Sequence, residues 1–426
     1  MSRRLRVLES IDQLVRARRP IDPACLAPAA AILADIEARG EPAARAHAER
    51  LGDIGSQSPI VHDRRALEAA VDRLSEHDRR ALERAAASIR RFADAQRGCV
   101  RDLDTSSPGG RAGHRIVPVA SAGCYGPGGR YPLPSSLLMT VATARAAGVE
   151  RVWAASPRPA DVMLAAAAIA GADALLAIGG VQAIASLVFG LFGAPPCDVV
   201  AGPGNRWVTA AKWLVSDRVG IDMLAGPSEL VILADESADE RVVAADLLAQ
   251  AEHDDDAVVV LVTTDPSLPV RVEAELSRAL ETLPTSMTAE VALRSSCVLI
   301  VPSMTEGLEA CERFAPEHLE VMTREADRVA ASVNRAGTIF VGAASAEVFG
   351  DYGAGPNHVL PTGGTARFKS GLSVMTFLRA MTWLRVEPGV DLAALVRATG
   401  ALARIEGLEG HARAAETRSR ACRGDD

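Results

Sequence analysis

Apolar and polar residues change their spacing twice along this chain. From about residue 27 to residue 96, apolar residues recur at helical spacing among many charges, which predicts a mostly helical region. After it, short apolar runs are separated by alanine-rich stretches with helical spacing, an order typical of a parallel sheet with crossover helices. From about Ser373 the spacing is helical again and ends in an arginine-rich tail. The pattern predicts an α/β protein.

Eight short apolar runs are predicted to be strands. They cover residues 116–120, 151–156, 174–178, 198–201, 230–234, 258–263, 297–301 and 338–341. The most apolar stretch, residues 162–180, contains Asp173 near its centre, which favours a buried helix and strand over a membrane span. The first 20 residues combine many arginines with Glu9 and Asp12 and lack the apolar core of a signal peptide, so we predict a charged helical arm.

Composition and charge narrow the class of protein. With 426 residues, 48% of them hydrophobic, the chain has material for more than one buried core. Its 46 Lys and Arg against 54 Asp and Glu give a net charge of −8, which disfavours nucleic acid and anionic membranes as partners. The seven cysteines are scattered and form no C-x-x-C pair, so neither a disulfide framework nor a thiolate zinc site is indicated. A cytoplasmic location is expected.

Three glycine-rich segments follow strand-like runs. They are GCYGPGG at 123–129, GPGN at 202–205 and AGPSE at 225–229. None is a G-x-G-x-x-G fingerprint, because Tyr131 and Trp207 stand where that motif needs glycine. Each segment alone is more typical of a tight turn than of a ligand site. Together they indicate close backbone approach to a ligand, which we expect at the carboxyl edge of a sheet.

One pair of residues has the spacing of metal ligands. Gln250 and His253 are three apart in LLAQAEHDDD, so a helix would present both on one face. Their oxygen and nitrogen atoms suit a borderline cation such as zinc. Alone, such a pair is also what a polar helix end contains, so the spacing by itself leaves both interpretations open.

Further along the chain, three segments carry groups that could move protons or bind ligands. Glu317 and His318 are adjacent bases that could serve two proton transfers, although a surface dipeptide at a helix start would look the same. Asp351 and His358 lie in GDYGAGPNHVLPTGG, a glycine- and proline-rich loop typical of functional positions. The EGLEGH segment of the tail has Glu406 and His411, for which a solvated helix is the plain alternative.

Taken in order, these segments resemble the histidinol dehydrogenase family over nearly the whole chain. The matching segments are YGPGG, GVQAIA, GPGNRWVTAAK, AGPSE, QAEH, PEHLE, GDYGAGPNHVLPTGGTARFKSGLSV and EGLEGH. The resemblance implies one zinc ion per subunit, held by Gln250, His253, Asp351 and His411. It further implies that His411 comes from the partner subunit of a domain-swapped homodimer.

The resemblance also assigns expected roles to the other residues. It implies NAD contacts from Tyr125, Gln182 and Asn205. It implies that the substrate is held by Ser228, Gln250, His253, His318, Asp351, His358, Glu406 and His411. In that scheme His318 takes the alcohol proton as hydride leaves for NAD, and Glu317 activates water against the bound aldehyde. The family converts L-histidinol through histidinal to L-histidine with two NAD, the last step of histidine biosynthesis.

Pattern and resemblance together predict an α/β fold with two incomplete Rossmann-like parallel-sheet domains and helical N- and C-terminal arms. The predicted division is an arm at 1–20, a first domain at 21–120 and 228–372 with the zinc and the bases, a second domain at 121–227 with the NAD loops, and a helical tail at 373–426.

Some residues depart from the common family pattern. YGPGGRYPL and Leu224 in LAGPSE resemble a sister group that oxidises sulfopropanediol with the same zinc ligands, whereas Ser228 and GGTARFKSGLSV resemble the histidinol enzymes. A sulfonate would need a cation near the zinc, so Arg130 and Tyr131 are the residues expected to separate the two substrates. A catalytically inactive relative is a third alternative. Cys124 is expected to be a small buried side chain, with a thiol nucleophile as the alternative.

Overall fold

Two six-stranded sheets and one three-stranded sheet form the framework of the chain in a computed structural model, which describes residues 5–15, 20–55, 57–128, 132–387 and 390–421. The predicted α/β class is confirmed. The chain divides into two compact units: unit 1 is Met1–Ala95 with Val119–Phe377, and unit 2 is Gln96–Pro118 with Leu378–Asp426. The four-part division predicted from the sequence stays a prediction.

The strands of the described residues are β1 (Arg6–Leu8), β2 (Val61–Asp63), β3 (Leu103–Ser107), β4 (Gly110–Pro118), β5 (Ser121–Tyr125), β6 (Arg151–Ala155), β7 (Ala174–Leu176), β8 (Val199–Ala201), β9 (Gly220–Ile221), β10 (Glu229–Ala234), β11 (Val258–Thr263), β12 (Cys297–Ile300), β13 (His318–Met322), β14 (Thr338–Val341) and β15 (Leu378–Val386).

The α-helices of the same residues are α1 (Asp12–Val15), α2 (Pro23–Arg39), α3 (Glu41–Arg50), α4 (Arg64–Arg73), α5 (Glu76–Cys99), α6 (Pro134–Ala147), α7 (Asp161–Ala170), α8 (Gly180–Phe189), α9 (Arg206–Leu214), α10 (Glu240–Ala251), α11 (Leu268–Leu280), α12 (Ser286–Ser295), α13 (Met304–Phe314), α14 (Ala326–Ala330), α15 (Glu347–Tyr352), α16 (Val390–Ile405) and α17 (Glu409–Ala421). Two short 3-10 helices, Thr365–Arg367 and Val374–Phe377, follow α15.

The first sheet has the strand order β1-β12-β11-β10-β13-β14, and every neighbouring pair is parallel. Its central strand β10 is buried on both faces. Leu230 and Ile232 pack into a core with α10, α11 and α12, whereas Val231 and Leu233 pack into a second core with α13. This two-sided burial explains why the sequence shows continuous apolar runs here, with no alternation of apolar and polar residues.

The second sheet has the order β2-β7-β6-β5-β8-β9, parallel except for the antiparallel edge strand β2. Helices α2 and α3 pack against α8 and α9 over this sheet, and α4 packs against α7. The chain leaves β5 and fills β6 and β7 on one side, then returns to place β8 and β9 on the other. The strand order therefore reverses between β5 and β8.

Unit 2 contains an antiparallel sheet that the sequence pattern did not predict. Strand β4 pairs with both β3 and β15, and the nine pairs with β15 run from Leu378 opposite Pro118 to Val386 opposite Gly110. The predicted strand at 116–120 thus belongs largely to this small sheet, and the predicted helix at 378–386 is a strand. Long-range pairing with β4 decides this segment, whose Thr382 and Trp383 are also good strand formers.

At the amino terminus the structure also differs from the predicted helical arm. Residues Arg6–Leu8 form the edge strand β1 beside β12, and only Asp12–Val15 is helical among the described residues of that arm. Burial of Leu5, Leu8 and Ile11 holds the arm against the first sheet. Pairing covers the free edge of β12, which would otherwise expose unpaired backbone groups. No helix in the described part of the chain is long and apolar enough to cross a membrane.

Candidate active site

His318 is the first residue of β13, at the amino edge of the first sheet, and its side chain is 4% exposed. Its Nδ1 lies 3.1 Å from the carbonyl oxygen of Glu229, to which it donates, because a carbonyl can only accept. This contact fixes the tautomer and makes Nε2 the basic nitrogen. Nε2 is buried and has no hydrogen-bond partner among the described residues. Burial lowers the pKa of His318 to about 3, so the imidazole is a neutral base at physiological pH.

Glu317 is buried next to this imidazole. Its Oε2 accepts a hydrogen bond from the backbone N–H of Glu229 at 2.8 Å and lies 3.7 Å from His318 Nδ1. Glu347 Oε1 lies 3.6 Å from the same nitrogen. The alternative of an exposed dipeptide at a helix start is excluded, because both residues are buried where a strand begins. Two bases are therefore held side by side in a buried environment.

A group of metal-ligand type lies between α10 and α15. One ligand atom each of His253, Glu347 and Asp351 falls within 4.8 Å of the other two. Burial raises the pKa of Asp351 to about 6, and burial together with Asp351 raises the pKa of Glu347 well above its ordinary value. Adjacent buried carboxylates disfavour their charged forms, which a bound divalent cation would stabilise. The donor set of one imidazole and two carboxylates fits zinc.

Gln250 and His358 complete this cluster. Gln250 is fully buried, and its amide nitrogen, in the orientation that satisfies both polar atoms, donates to Glu347 Oε2 at 2.9 Å. His358 Nδ1 donates to the carbonyl oxygen of Asp351 at 3.2 Å, which leaves Nε2 as its acceptor nitrogen. Burial lowers the pKa of His358 to about 4. Ser228 is half-buried and immediately precedes β10, the strand beside His318.

Unit 1 thus brings together six of the residues predicted for catalysis and zinc or substrate binding. They are Gln250, His253, Glu317, His318, Asp351 and His358. Glu406 and His411 belong to unit 2, in the turn after α16 and on α17, and both are exposed. They are not among the side chains that unit 1 assembles, and their predicted roles stay predictions.

The residues predicted to contact NAD lie on the second sheet. Tyr125 ends β5, and Asn205 caps the start of α9 after β8, accepting from the backbone N–H groups of Trp207 and Val208 at 3.0 and 3.2 Å. Gln182 lies in the first turn of α8. The strand order reverses between β5 and β8, and such reversal points are where open parallel sheets bind nucleotides at their carboxyl ends.

Close backbone packing explains the glycine at the start of the second glycine-rich segment. Gly202 has φ +124°, and a Cβ there would lie 2.1 Å from the carbonyl oxygen of Tyr125. Only glycine allows the loop after β8 to approach the end of β5 this closely.

The glycine-rich segments do not all lie at a carboxyl edge. The first two follow β5 and β8, as predicted, whereas the third connects the carboxyl end of β9 to the amino end of β10. Glu317 and His318 also stand at the amino edge of the first sheet. The bases therefore lie at an amino edge, whereas the glycine-rich loops after β5 and β8 lie at a carboxyl edge.

Two acidic residues of this site escaped the sequence analysis. Glu229 ends the third glycine-rich segment, and nothing in the sequence indicates that its backbone N–H and carbonyl hold both bases. Glu347 lies four residues before Asp351, a spacing that places both carboxylates on one face of α15, so the sequence does indicate this acidic pair.

Cys124 is fully buried, which confirms the predicted small buried side chain, and burial raises its pKa to about 12. Arg130 and Tyr131 lie outside the described residues.

Comparison with known proteins identifies the family. Residues 18–419 match the family model described as histidinol dehydrogenase. The chain belongs to the histidinol dehydrogenase family. It is thus an NAD-dependent oxidoreductase of that family, and the resemblance inferred from the motifs is confirmed.

Its family relatives cover most of the chain. It is 45% identical over 358 residues to a histidinol dehydrogenase of Thermus thermophilus, covering 83% of this chain and 86% of that protein. It is 41% identical to a sulfopropanediol 3-dehydrogenase of Ruegeria pomeroyi, with 91% of each chain covered. The crystal structure of a histidinol dehydrogenase from Elizabethkingia anophelis matches with a TM-score of 0.92 at 28% identity, covering 100% of both chains. Both fold and sequence therefore support the assignment.

Proposed function

We propose that this protein catalyses the four-electron oxidation of L-histidinol to L-histidine through histidinal, with two NAD per substrate, as the last step of histidine biosynthesis in the cytoplasm. The observation that carries the proposal is the His318 imidazole, whose Nδ1 is fixed by Glu229 while its buried Nε2 is left as a neutral base. Family membership indicates the class of substrate, and the buried pair of bases, Glu317 and His318, fits two successive oxidations.

In the first oxidation, His318 Nε2 takes the proton of the primary alcohol, and bound NAD would accept the hydride that the carbon gives up. The low pKa of His318, about 3, keeps this nitrogen free of a proton at neutral pH. The product is an aldehyde, one NADH and one proton. Burial matters here because water would otherwise compete with the substrate hydroxyl for His318 Nε2.

In the second oxidation, Glu317 takes a proton from water as the water oxygen attacks the aldehyde carbon. The attack leaves the anion of the aldehyde hydrate. His318, which has released the first proton before this step, takes the proton of the remaining hydroxyl, and a second bound NAD would accept the hydride, which leaves the carboxylate. Glu317 keeps its position through the backbone N–H of Glu229 at 2.8 Å. His318 thus serves the two steps in which a hydride leaves, and Glu317 serves the addition of water, which explains the need for two adjacent bases.

We assign the zinc site to Gln250, His253, Asp351 and His411, with Glu347 beside them. Bound zinc would orient the nitrogen donors of the substrate and polarise its oxygen. Ser228, His358 and Glu406 would hold the amino alcohol alongside these residues. His358 presents an acceptor nitrogen, because its Nδ1 is occupied by the carbonyl of Asp351.

The closing experiment counts NADH formed per L-histidinol consumed by the zinc-loaded protein. Two NADH per substrate are expected. His318→Asn keeps an amide donor for the Glu229 carbonyl but removes Nε2, so we expect turnover to fall by about 10²–10⁴-fold while folding is retained. His47→Gln is the matched control, since His47 pairs with Asp35 on α2, outside the site. Turnover by His318→Asn at the wild-type rate would refute the assigned base.

His411 is proposed to reach the zinc site of the partner subunit in a domain-swapped homodimer. Two differently tagged chains, one with His253→Ala and one with His411→Ala, test this when they are produced together and purified as a mixed dimer. If His411 acts across the dimer, one site carries both changes and the other carries neither, so activity should return to about half. A mixed dimer as inactive as either parent would place His411 in its own subunit's site.

A second candidate substrate is sulfopropanediol, because a relative named for that activity is 41% identical over 91% of the chain. The same assay with the sulfonated diol separates the two. Turnover of the diol without turnover of L-histidinol would keep the bases and the metal residues but replace the substrate, and turnover of neither would support a catalytically inactive relative.

A further inference from the structure

Gln182 has an unusual environment for a surface-type side chain. It is 1% exposed, its Nε2 donates to Asp53 Oδ2 at 2.7 Å, and its Oε1 is buried without a hydrogen-bond partner among the described residues. A buried amide oxygen left unpaired is destabilising, because it has lost its hydrogen bonds to water. Such an atom is explained if a ligand supplies the missing donor.

Asp53 determines that the amide nitrogen of Gln182 is hydrogen-bonded and that its oxygen is the atom without a partner among the described residues. Its Oδ2 accepts from both Gln182 Nε2 and the backbone N–H of Gly179, at 2.7 and 2.9 Å. A carboxylate can only accept, so the amide cannot be turned around without bringing two acceptor oxygens together. The loop before β2 supplies Asp53, and the N–H of that residue is itself tied to the carbonyl oxygen of Ala48 at 2.9 Å.

Tyr125 contacts the start of α8, the same helix turn that carries Gln182. Its hydroxyl oxygen accepts from the backbone N–H of Gly180 at 3.2 Å. Burial raises the pKa of Tyr125 to about 12, so the hydroxyl keeps its proton and remains a donor. The start of α8 therefore offers one fixed acceptor and one hydroxyl donor. This combination fits a neutral hydroxyl or carboxamide group, because both can donate and accept.

We propose that Asp53 is a positioning residue of the cofactor site: it holds the Gln182 amide with Nε2 toward its own carboxylate and leaves Oε1 as the free acceptor, so that the site takes a neutral hydrogen-bond donor of the dinucleotide, a ribose hydroxyl or the carboxamide. The inference rests on the proposed NAD contact of Gln182. A phosphate group is a poor occupant of this position, because it would face the Oε1 lone pairs with the Asp53 charge behind them.

Four variants test the hydrogen bonds directly, with NADH binding measured by fluorescence titration. Asp53→Ala frees the amide, and we expect the NADH dissociation constant to rise roughly tenfold, the size expected for one lost charge-assisted hydrogen bond. Asp53→Asn keeps an acceptor for Gly179 and Gln182, so binding should stay within about threefold of wild type. Gln182→Glu places two carboxylates against each other and should weaken NADH binding. Adding Asp53→Asn to it supplies an amide donor and should restore that binding.

Asp63→Ala is the matched control. Asp63 caps α4 by accepting from the backbone N–H of Ala66 at 2.8 Å, so its loss lowers stability without touching the cofactor loops. Melting temperatures of all variants are recorded beside the binding data, and KM for the alcohol should be unchanged in Asp53→Ala. A merely structural Asp53 would lower the melting temperature as Asp63→Ala does and leave NADH affinity intact.

The outcomes separate this inference from the proposed function. Wild-type binding of NADH with equal binding by Asp53→Ala overturns the positioning role alone. Equal weakening in Asp53→Ala and Asp53→Asn overturns it as well, since the charge rather than the orientation would then matter. Failure of the wild-type protein to bind NADH would overturn NAD use itself, and the role of Asp53 with it.

Discussion

Replacing Lys212 by Met removes one charge from a buried ion pair between α9 and the segment after β9. Lys212 on α9 pairs with Asp222, and their side chains are 3% and 0% exposed. The two residues also hold opposite ends of Gly202, since Lys212 Nζ donates to its carbonyl at 3.0 Å and Asp222 Oδ2 accepts from its N–H at 2.7 Å. The pair therefore fixes the glycine-rich loop after β8.

The expected loss in the free energy of unfolding is about 3–5 kcal/mol for Lys212→Met, because Asp222 would stay buried without a counter-charge. Met keeps the length and the apolar stem of Lys, so the loss reports the charge and not a cavity. The companion variant Lys212→Met/Asp222→Asn removes the uncompensated charge and keeps an acceptor for the Gly202 N–H. It should be more stable than Lys212→Met, with a coupling of about 2–3 kcal/mol between the two positions.

Urea unfolding followed by tryptophan fluorescence measures this effect, since Trp207 and Trp213 lie on α9. Arg218→Met is the control, because Arg218 pairs with Glu37 where both side chains are 49% exposed, and its loss should change the urea midpoint little. The free energy of unfolding of Asp222→Asn is measured as well. The reasoning is refuted if the double variant loses the sum of the losses in Lys212→Met and Asp222→Asn, since the two positions would then not be coupled.

Three further predictions concern pH, metal and the cofactor loop. Burial and Asp246 raise the pKa of Glu320 to about 8 from an ordinary 4.5, so its contribution to stability is present below pH 4.5 and is lost as the pH rises through 8. Urea midpoints at pH 5, 7 and 9 should therefore fall more steeply for wild type than for Glu320→Gln, and parallel curves would contradict this. Chelation of zinc should abolish turnover, and Glu347→Gln should weaken zinc binding by about 10–100-fold in competition with a chelator dye, whereas unchanged affinity would exclude Glu347 from the metal site. Gly202→Ala places a Cβ 2.1 Å from the Tyr125 carbonyl, so NADH affinity should drop at least about tenfold in fluorescence titrations, and wild-type affinity would argue against the close approach.

Local patterns were sufficient wherever burial on both faces fixed the residue types. The apolar runs at 151–156, 174–178, 230–234, 258–263 and 338–341 are all strands within two residues of the predicted ends. The pattern does not predict β5 and β13, because SAGCY is made mostly of small residues and HLEVM begins with His318 and contains Glu320 among its apolar residues. Function thus obscured the strand signal at the very position where the bases lie.

The sequence by itself determined the α/β class, the glycine-rich loops and, through its ordered motifs, the family. It also indicated Gln250 and His253 as a pair on one helix face, but α10 ends at Ala251 and His253 lies just beyond the helix. Only the tertiary structure decided that β1 and β15 are strands, since each is stabilised by a partner far away in sequence. It also decided the tautomer of His318 and the orientation of Gln182, because each depends on one oxygen atom that folding brings from a distant segment. Composition and spacing show which chemical groups a chain contains. Hydrogen-bond geometry and desolvation set the chemistry of those groups, and both exist only after long-range packing.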